Sequence, residues 1–273
     1  MFQVRVNRSN TESFFAMLSV IYHTIVRSAR SGHRSAVVAM ALNMMRGLML
    51  VAMFFVLFQV LGMRSSPIRG DMILFLISGV FMFMTHVQSV RSVAGAGSPL
   101  SAMLLHGPMN TMVAIISAAM ATLYQQFITL CVVLVIYHCA FAPLSIHDPI
   151  SFLGFFLAAW FSGCAVGMIF VALSPWFPRL SAILMQLYRR AQMIASGKMF
   201  VVNTLPASMV AVFDWNPLFH IIDQGRGALF LHYSPHVTSV SYPIYVSLTL
   251  VCIGLMGEFF ARQHVSASWF AGR

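Results

Sequence analysis

Long apolar stretches alternate with short polar ones along this chain, and one interval shows the pattern most clearly. Between Arg91 and Asp148 the sequence contains no Asp, Glu, Lys or Arg. A helix needs about 20 mostly apolar residues to cross about 30 Å of hydrocarbon, so this interval is long enough for two crossings. The pattern therefore predicts an all-α membrane protein that crosses the bilayer several times.

Apolar runs of sufficient length predict six membrane-spanning helices within residues 36–262, as one transmembrane domain that takes in residues 1–273. The predicted spans cover about 36–62, 72–91, 110–137, 150–173, 180–202 and 243–261. The fifth span is the most polar of them, because Arg189, Arg190 and Lys198 fall inside it.

Residues 9–31 are predicted to form an amphipathic helix ahead of the first span. Ser9 and Glu12 have the spacing of a capping box. Apolar side chains then recur on one face of the helix, while Arg27 and Arg30 fall on the other. A helix of this kind is suited to lie flat in the cytoplasmic interface. Packing on a partner protein explains the same pattern, and the two interpretations are compatible.

The segment between the second and third predicted spans is broken by Gly95, Gly97 and Pro99. Ser98 and Pro99 suit the N-cap and first position of a short helix over residues 99–106. This segment is expected on the cytoplasmic side, where it is either a contact for a partner or an ordinary turn.

Residues 203–242, between the fifth and sixth predicted spans, are too long and too apolar for a simple turn. Asn216 and Pro217 predict the N-cap and first residue of a helix. Asp223 and Arg226 follow with the spacing of an ion pair one turn apart. Such an amphipathic helix can re-enter the membrane where protein or water covers its polar side.

Composition supports the membrane class and sets the orientation. The chain is 59% hydrophobic and 8% charged, with 16 Lys plus Arg against 6 Asp plus Glu. With the N-terminus inside, nine basic residues fall in cytoplasmic segments and three in outer ones. Both termini are therefore expected in the cytoplasm. The positive charge is expected to face anionic membrane lipid, and no nucleic-acid partner is expected.

Three arginines are predicted inside spans: Arg46, Arg189 and Arg190. A charge at mid-membrane costs at least about 2.5 kcal/mol on insertion scales, so it is expected to face protein or water. These residues are candidates for a pathway for an anionic or heavily hydroxylated substrate. The alternative is that they reach up to the headgroups, which is easier for Arg189 and Arg190 than for Arg46.

Motifs for chemistry within the chain are absent from the sequence. It contains no GxxxxGK[ST], no HExxH and no GxSxG pattern. We therefore expect no catalytic residue, no metal ligand and no cofactor bound by this chain. An intramembrane enzyme would need carboxylates in the membrane, and Glu258 is the only acidic residue that we place inside a span.

Three stretches together resemble one family. They are FLISGVFMFMTHVQSVRSV at 75–93, SGCAVGMIFVALSPWFPRLSAIL at 162–184 and DWNPLFHIIDQGRGALF at 214–230. Each resembles the membrane subunit of ABC-2 type exporters, in particular the capsular-polysaccharide export permeases of Gram-negative bacteria. The third stretch is the most specific, through its WNP-L-x-H pattern. The run RSARSGHRS at 27–35 departs from the family by lacking an aromatic residue.

The resemblance implies a permease subunit in the bacterial inner membrane, rather than an enzyme. It implies a homodimer that works with two copies of a separate ABC ATPase, which binds ATP and Mg, and that exports a capsular or related polysaccharide or lipid-linked glycan. Periplasmic and outer-membrane export proteins are further partners. The alternatives are an ABC-2 exporter of O-antigen, a teichoic-type polymer or a small lipophile, then an intramembrane lipid- or glycan-modifying enzyme, and last a membrane scaffold.

The resemblance also implies roles for the segments found above. Contact with the ATPase is expected at Arg27, Arg30, Pro99, Leu100, Met103, Leu104 and His106. An outer gate is expected at Trp215, Asn216, Pro217, His220, Asp223 and Arg226. Arg46, Arg189 and Arg190 remain the candidates for the translocation pathway.

Overall fold

The protein is described by a computed structural model that covers residues 36–60, 68, 71–96 and 111–269. Across these residues the chain forms eight α-helices and one short 3-10 helix, and no strand. The α-helices are α1 Ala36–Val60, α2 Met72–Ala96, α3 Thr111–Ala140, α4 Pro149–Leu173, α5 Pro178–Ala195, α6 Ala207–Phe213, α7 Pro217–Leu229 and α8 Ser241–Trp269, and the 3-10 helix is Val202–Thr204. The prediction of an all-α protein is confirmed.

Five of these helices are long and apolar enough to cross a membrane: α1, α2, α3, α4 and α8. They coincide with the first four predicted spans and with the last one. The chain is therefore an integral membrane protein. The bounds differ from the predicted ones mainly at α2, which continues to Ala96, and at α8, which continues to Trp269.

The predicted fifth span differs from the other five. In place of a span over 180–202, the structure has α5, which has 18 residues, ends at Ala195 and is strongly amphipathic. The chain turns at Gly197, which has a φ of 71°. A Cβ there would lie 2.7 Å from the Phe219 ring, so glycine is required both by the backbone and by the packing. The described residues therefore do not confirm the predicted count of six spans.

The centre of the bundle is α2, which packs most extensively on α4 and also contacts α1, α3, α5 and α7. Its residues from Leu74 to Val87 are all buried. A helix that is apolar on all sides belongs inside a protein, and this one carries no full charge between Asp71 and Arg91. The prediction from apolar length was right about α2 but gave no sign of its central place.

Two glycines bring α4 close to α2. A Cβ on Gly163 would lie 2.4 Å from the carbonyl oxygen of His86, and one on Gly167 would lie 2.8 Å from the Val93 side chain. Small residues four apart allow this close approach between membrane helices. The GxxxG pattern of the sequence thus has its partner within the same chain.

The start of α4 is fixed by Asp148, which accepts hydrogen bonds from the amides of Ile150 and Ser151 at 3.2 and 3.1 Å. The Asp148 carboxylate also interacts with the Ser151 hydroxyl. This side-chain hydrogen bond, together with those from the two amides, lowers the pKa of the Asp148 carboxyl. The amide of Asp148 itself donates to the carbonyl of Ala228 at 2.8 Å. The beginning of α4 and the end of α7 therefore lie at the same end of the bundle.

The chain must return along the bundle between α4 and α8. Gly254 of α8 lies against Met168 of α4, and Gly257 lies against Ala172, so the two helices run parallel. Two parallel helices start at the same end, while α4 alone has 25 residues and is about 37 Å long at 1.5 Å per residue. The segment that includes α5 therefore brings the chain back.

Candidate functional site

A cavity of about 600 Å³ lies between α1, α2 and α5. Its polar lining consists of Arg46 of α1, Gln88 of α2, and Gln186, Arg189 and Arg190 of α5. The remaining lining residues are apolar: Leu50, Phe83, Met84, Val87, Met193 and Ile194. All three arginines that the sequence placed inside spans thus line one cavity.

Among the residues that the structure describes, no acidic side chain forms an ion pair with the arginines of this cavity. None of its lining residues is acidic. The Nε atom of Arg189 is buried and has no hydrogen-bond partner. Arg91 of α2 lies close enough to Arg189 for the two charges to repel each other. Because like charges in a partly buried site raise the energy of the empty cavity, the site favours an anion.

The geometry of the cavity follows from helical periodicity on one side and from tertiary structure on the other. Gln186, Arg189, Arg190 and Met193 recur at three- and four-residue spacing on one face of α5. Arg46 is more than one hundred residues away along the chain and is brought to this face by α1. The pairing of α1 with α5 was not predicted.

A fourth cation, Lys198, lies directly beside the cavity. Its ammonium group is 3.9 Å from the centre of the Phe83 ring and 5.4 Å from that of Phe54, and it donates to the carbonyl of Met193. Phe83 and Met193 both line the cavity. The side chain of Lys198 is fully buried at 1% exposure. The sequence offered one signal, a single lysine in an apolar run, which we did not assign to the site.

The helix α7 begins as predicted. Asn216 is its N-cap and accepts a hydrogen bond from the amide of Leu218 at 3.2 Å, and Pro217 is the first helical residue. Trp215 is 63% exposed, whereas Asn216 is fully buried. The hydroxyl of Tyr242 at the start of α8 donates to the carbonyl of Trp215 at 2.8 Å.

The predicted ion pair between Asp223 and Arg226 is not formed in α7, and this corrects the sequence interpretation. Arg226 instead donates to the carbonyls of Gly197, Lys198 and Phe200 at 3.0, 2.5 and 2.8 Å. Its guanidinium also lies 3.9 Å from the centre of the Phe75 ring. The carbonyls that follow the end of α5 have no helical partner, and a guanidinium with five N–H groups can satisfy several of them.

Asp223 has partners of its own on the loop that follows α7. Its carboxylate accepts hydrogen bonds from the hydroxyls of Tyr233 and Thr238. Both Asp223 and Arg226 are completely buried, so the polar side of α7 is covered by protein. Arg226, counted as an outer-loop charge for the orientation, is therefore a structural residue of the interior.

His220 joins α7 to the segments before and after it. Its Nε2 lies 2.7 Å from the carbonyl oxygen of Asp214, so this nitrogen carries the hydrogen, while Nδ1 accepts from the amide of Ser239 at 3.0 Å. Beside it is a second cavity of about 270 Å³ between α4, α7 and the start of α8. His220 and Gln224 line this cavity.

The other predicted site residues lie outside the described part of the chain. This applies to the interfacial helix over 9–31 and to every predicted ATPase contact: Arg27, Arg30, Pro99, Leu100, Met103, Leu104 and His106. Within the described residues, His, Cys, Asp and Glu do not come together in groups of three. The candidate site is thus the arginine-lined cavity together with α7.

No protein-family model matches the chain. Two curated Escherichia coli proteins, each named polysialic acid transport protein KpsM, are similar to part of it. One is 30% identical over 92 residues, which are 34% of this chain and 35% of the relative. The other is 29% identical over the same length. The match therefore spans about a third of the length of the curated relatives.

Proposed function

We propose that this chain is the membrane subunit of an ATP-driven ABC-2 exporter for capsular or related surface polysaccharide. The single observation that carries the proposal is the cavity that Arg46, Arg189 and Arg190 line together inside a bundle of membrane helices. The similarity to the transport protein KpsM over a third of the chain supports the same conclusion. An all-helical interior without clustered carboxylates or metal ligands in its described part disfavours an intramembrane enzyme.

The chemistry of the cavity argues for an anionic cargo. Guanidinium groups bind carboxylate and phosphate in a two-pronged geometry that ammonium groups cannot reproduce. The apolar part of the lining, which includes Leu50, Phe83 and Met84, can hold an alkyl chain or the face of a sugar ring. An acidic glycan, or a glycan on a lipid anchor with a charged headgroup, fits both parts of the lining.

The energy for export comes from a partner in this proposal. Two copies of a separate ATPase bind ATP and Mg and contact two copies of this chain through Arg27, Arg30 and residues 99–106. Their closure moves the helices around the arginine cavity, and α7 opens the way out at the far side. Both termini then lie in the cytoplasm, the chain crosses the inner membrane six times, and envelope proteins receive the polymer outside.

Arg46→Ala tests the proposed pathway in a cell that lacks the native gene. Export of the polymer is expected to fall tenfold or more, because one of three guanidiniums is removed and its charge-assisted bonds are each worth about 1.5–3 kcal/mol. The measurement compares polymer on the cell surface with polymer inside, at matched amounts of the protein in the membrane. Arg179→Ala, an exposed arginine away from the cavity, is the control.

Two outcomes of that experiment would contradict the proposal. Undisturbed surface polymer in the strain without the gene would exclude the chain from polysaccharide export. Wild-type export by Arg46→Ala at matched protein amounts, with less protein at equal expression, would make Arg46 a folding residue. The polymer that accumulates inside the deletion strain also identifies the cargo, and O-antigen, a teichoic-type polymer or a small lipophile would each replace the capsular glycan.

A further inference from the structure

Five polar side chains, four of them buried and Tyr188 partly buried, form one continuous chain of hydrogen bonds through the bundle, which we call the relay. It runs from Ser162 of α4 through His86 of α2 and then Tyr188 and Gln192 of α5 to Asn216, the N-cap of α7. The successive distances are 2.9 Å from Ser162 to His86, 2.7 Å from His86 to Tyr188, and 2.9 Å from Tyr188 to Gln192. Gln192 and Asn216 then exchange two hydrogen bonds, at 2.8 and 3.1 Å.

Each hydrogen in the relay has one consistent place. Gln192 donates to the Tyr188 hydroxyl, so that hydroxyl donates its own hydrogen to Nε2 of His86. The other ring nitrogen, Nδ1, therefore carries the hydrogen and donates to Ser162, whose hydroxyl donates to the carbonyl of Ala159 at 3.0 Å. Because every member is satisfied, the loss of one bond leaves a buried polar atom unpaired.

The relay and the cavity use different faces of α5. Tyr188 and Gln192 are four residues apart and share one face, which points to α2 and α7. Arg189, Arg190 and Met193 lie on the face that lines the cavity. A shift of α5 caused by an anion on its arginines therefore also moves Tyr188 and Gln192, and Gln192 bonds directly to the N-cap of α7.

The helix α5 has few other attachments to the bundle. Ser181 and Gln192 are its only buried residues. Its large apolar side chains point outward, with Ile183, Leu187 and Ile194 each more than 60% exposed. Gln192 is thus the one buried residue in the second half of the helix, and its bonds go to α7.

We infer that the relay couples the arginine cavity to α7, so that occupation of the cavity loosens the N-cap of this helix. Tyr188, Gln192 and Asn216 are positioning residues in this scheme, and they touch no cargo themselves. The inference rests on the proposed function for its role in export. The linkage itself is a property of the purified chain and does not depend on which polymer is carried.

The first measurement is hydrogen exchange at the amides of Leu218 and Phe219, which bond to the side chain and the backbone of Asn216. Tyr188→Phe removes one hydroxyl and keeps the ring. We expect exchange at these amides to become about threefold to tenfold faster, the factor for one neutral hydrogen bond. Ser162→Ala, at the far end of the relay, should also speed exchange at these amides. When Gln192→Leu is combined with either substitution, the effect of the double variant on exchange should be smaller than the sum of the two single effects.

Ser78→Ala provides the matched control, because Ser78 is a buried hydroxyl on α2 that bonds within its own helix to Phe75. Its effect on Leu218 and Phe219 should be small and additive. Unchanged exchange at α7 in Tyr188→Phe, or strict additivity in the relay variants, would overturn the inference. Since full-length protein in detergent suffices, a failed export assay leaves this result intact.

The second measurement places an anion in the cavity. Dodecyl phosphate is the probe, and dodecyl maltoside is the uncharged control. In the wild type we expect dodecyl phosphate to speed exchange at Leu218 and Phe219 at least twofold. In Gln192→Leu its dissociation constant should stay within about threefold, while its effect on α7 disappears. No effect in the wild type, or an equal effect in the variant, would refute the coupling.

Discussion

Arg226 shows at the scale of one residue how the same side chain can be assigned two roles. Its spacing from Asp223 predicted an ion pair, yet it donates to three carbonyls after α5 and is fully buried. A sequence gives the spacing of two residues along a helix, but it does not show that another segment places unpaired carbonyl groups beside one of them. The fixed turn at Gly197 presents those carbonyls.

The stability of the protein should therefore depend strongly on Arg226. Arg226→Met leaves buried carbonyls without donors and is expected to lower the free energy of unfolding by about 3 kcal/mol or more. Thermal unfolding of the purified protein in detergent measures this. Arg179→Met, at an exposed position, serves as the control. Equal stability of the two variants would show that water or a rearranged turn satisfies the carbonyls.

Other single residues were well predicted. Asn216 and Pro217 begin α7, where the Asn216 side chain accepts a hydrogen bond from the amide of Leu218 at 3.2 Å. These roles depend on groups within three residues of each other, so local sequence is enough. The environment of Lys198 could not be predicted in this way, because its partners Phe54 and Phe83 come from α1 and α2.

At the scale of elements, the contact between α2 and α4 depends on two glycines of α4. Gly163→Ala is expected to cost about 1–3 kcal/mol, because its Cβ would meet the carbonyl of His86, which cannot move without its helix. Gly154→Ala, in the same helix, has nothing within 4 Å and should be neutral or slightly stabilising. Thermal unfolding compares the two, and a similar effect of both would contradict the close packing.

The helix α5 is the element for which apolar length was the weakest guide. Its arginines and glutamines lower its hydropathy, so the amphipathic pattern competes with the expectation of a span. In the structure the polar residues of α5 lie on two faces, and both are in contact with the bundle. One face lines the arginine cavity and the other bonds to the relay. Polar residues in a membrane helix are tolerated where they face protein or a water-filled cavity.

For the whole molecule, the decisive relation is that α4 and α8 are parallel and that the start of α4 adjoins the end of α7. This arrangement requires one return of the chain between Leu173 and Ser241. Apart from α5, no helix between these two residues reaches 18 residues. The chain therefore returns along the bundle in the segment that includes α5, and α5 is less apolar than the five helices that are able to cross a membrane.

Labelling of single cysteines can test this arrangement, after replacement of the four native ones. A membrane-impermeant maleimide should label Ser145→Cys and Ser234→Cys from outside the inner membrane. Ser174→Cys, at the other end of α4, should react only after permeabilisation. Labelling of positions 145 and 234 from opposite sides would contradict the contact between Asp148 and Ala228 and with it the proposed export path.

The sequence by itself determined the features that depend on local chemistry. Apolar length predicted six spans, and five of them are helices long and apolar enough to cross a membrane. Capping residues predicted the start of α7, and charge inside predicted spans singled out Arg46, Arg189 and Arg190. Only the tertiary structure decided that these arginines share a cavity, that α2 is central, and that Arg226 and the relay connect α5 to α7. The physical reason is that hydrocarbon burial and helix capping act within one segment, whereas a buried polar group takes its partners from whichever segments pack beside it.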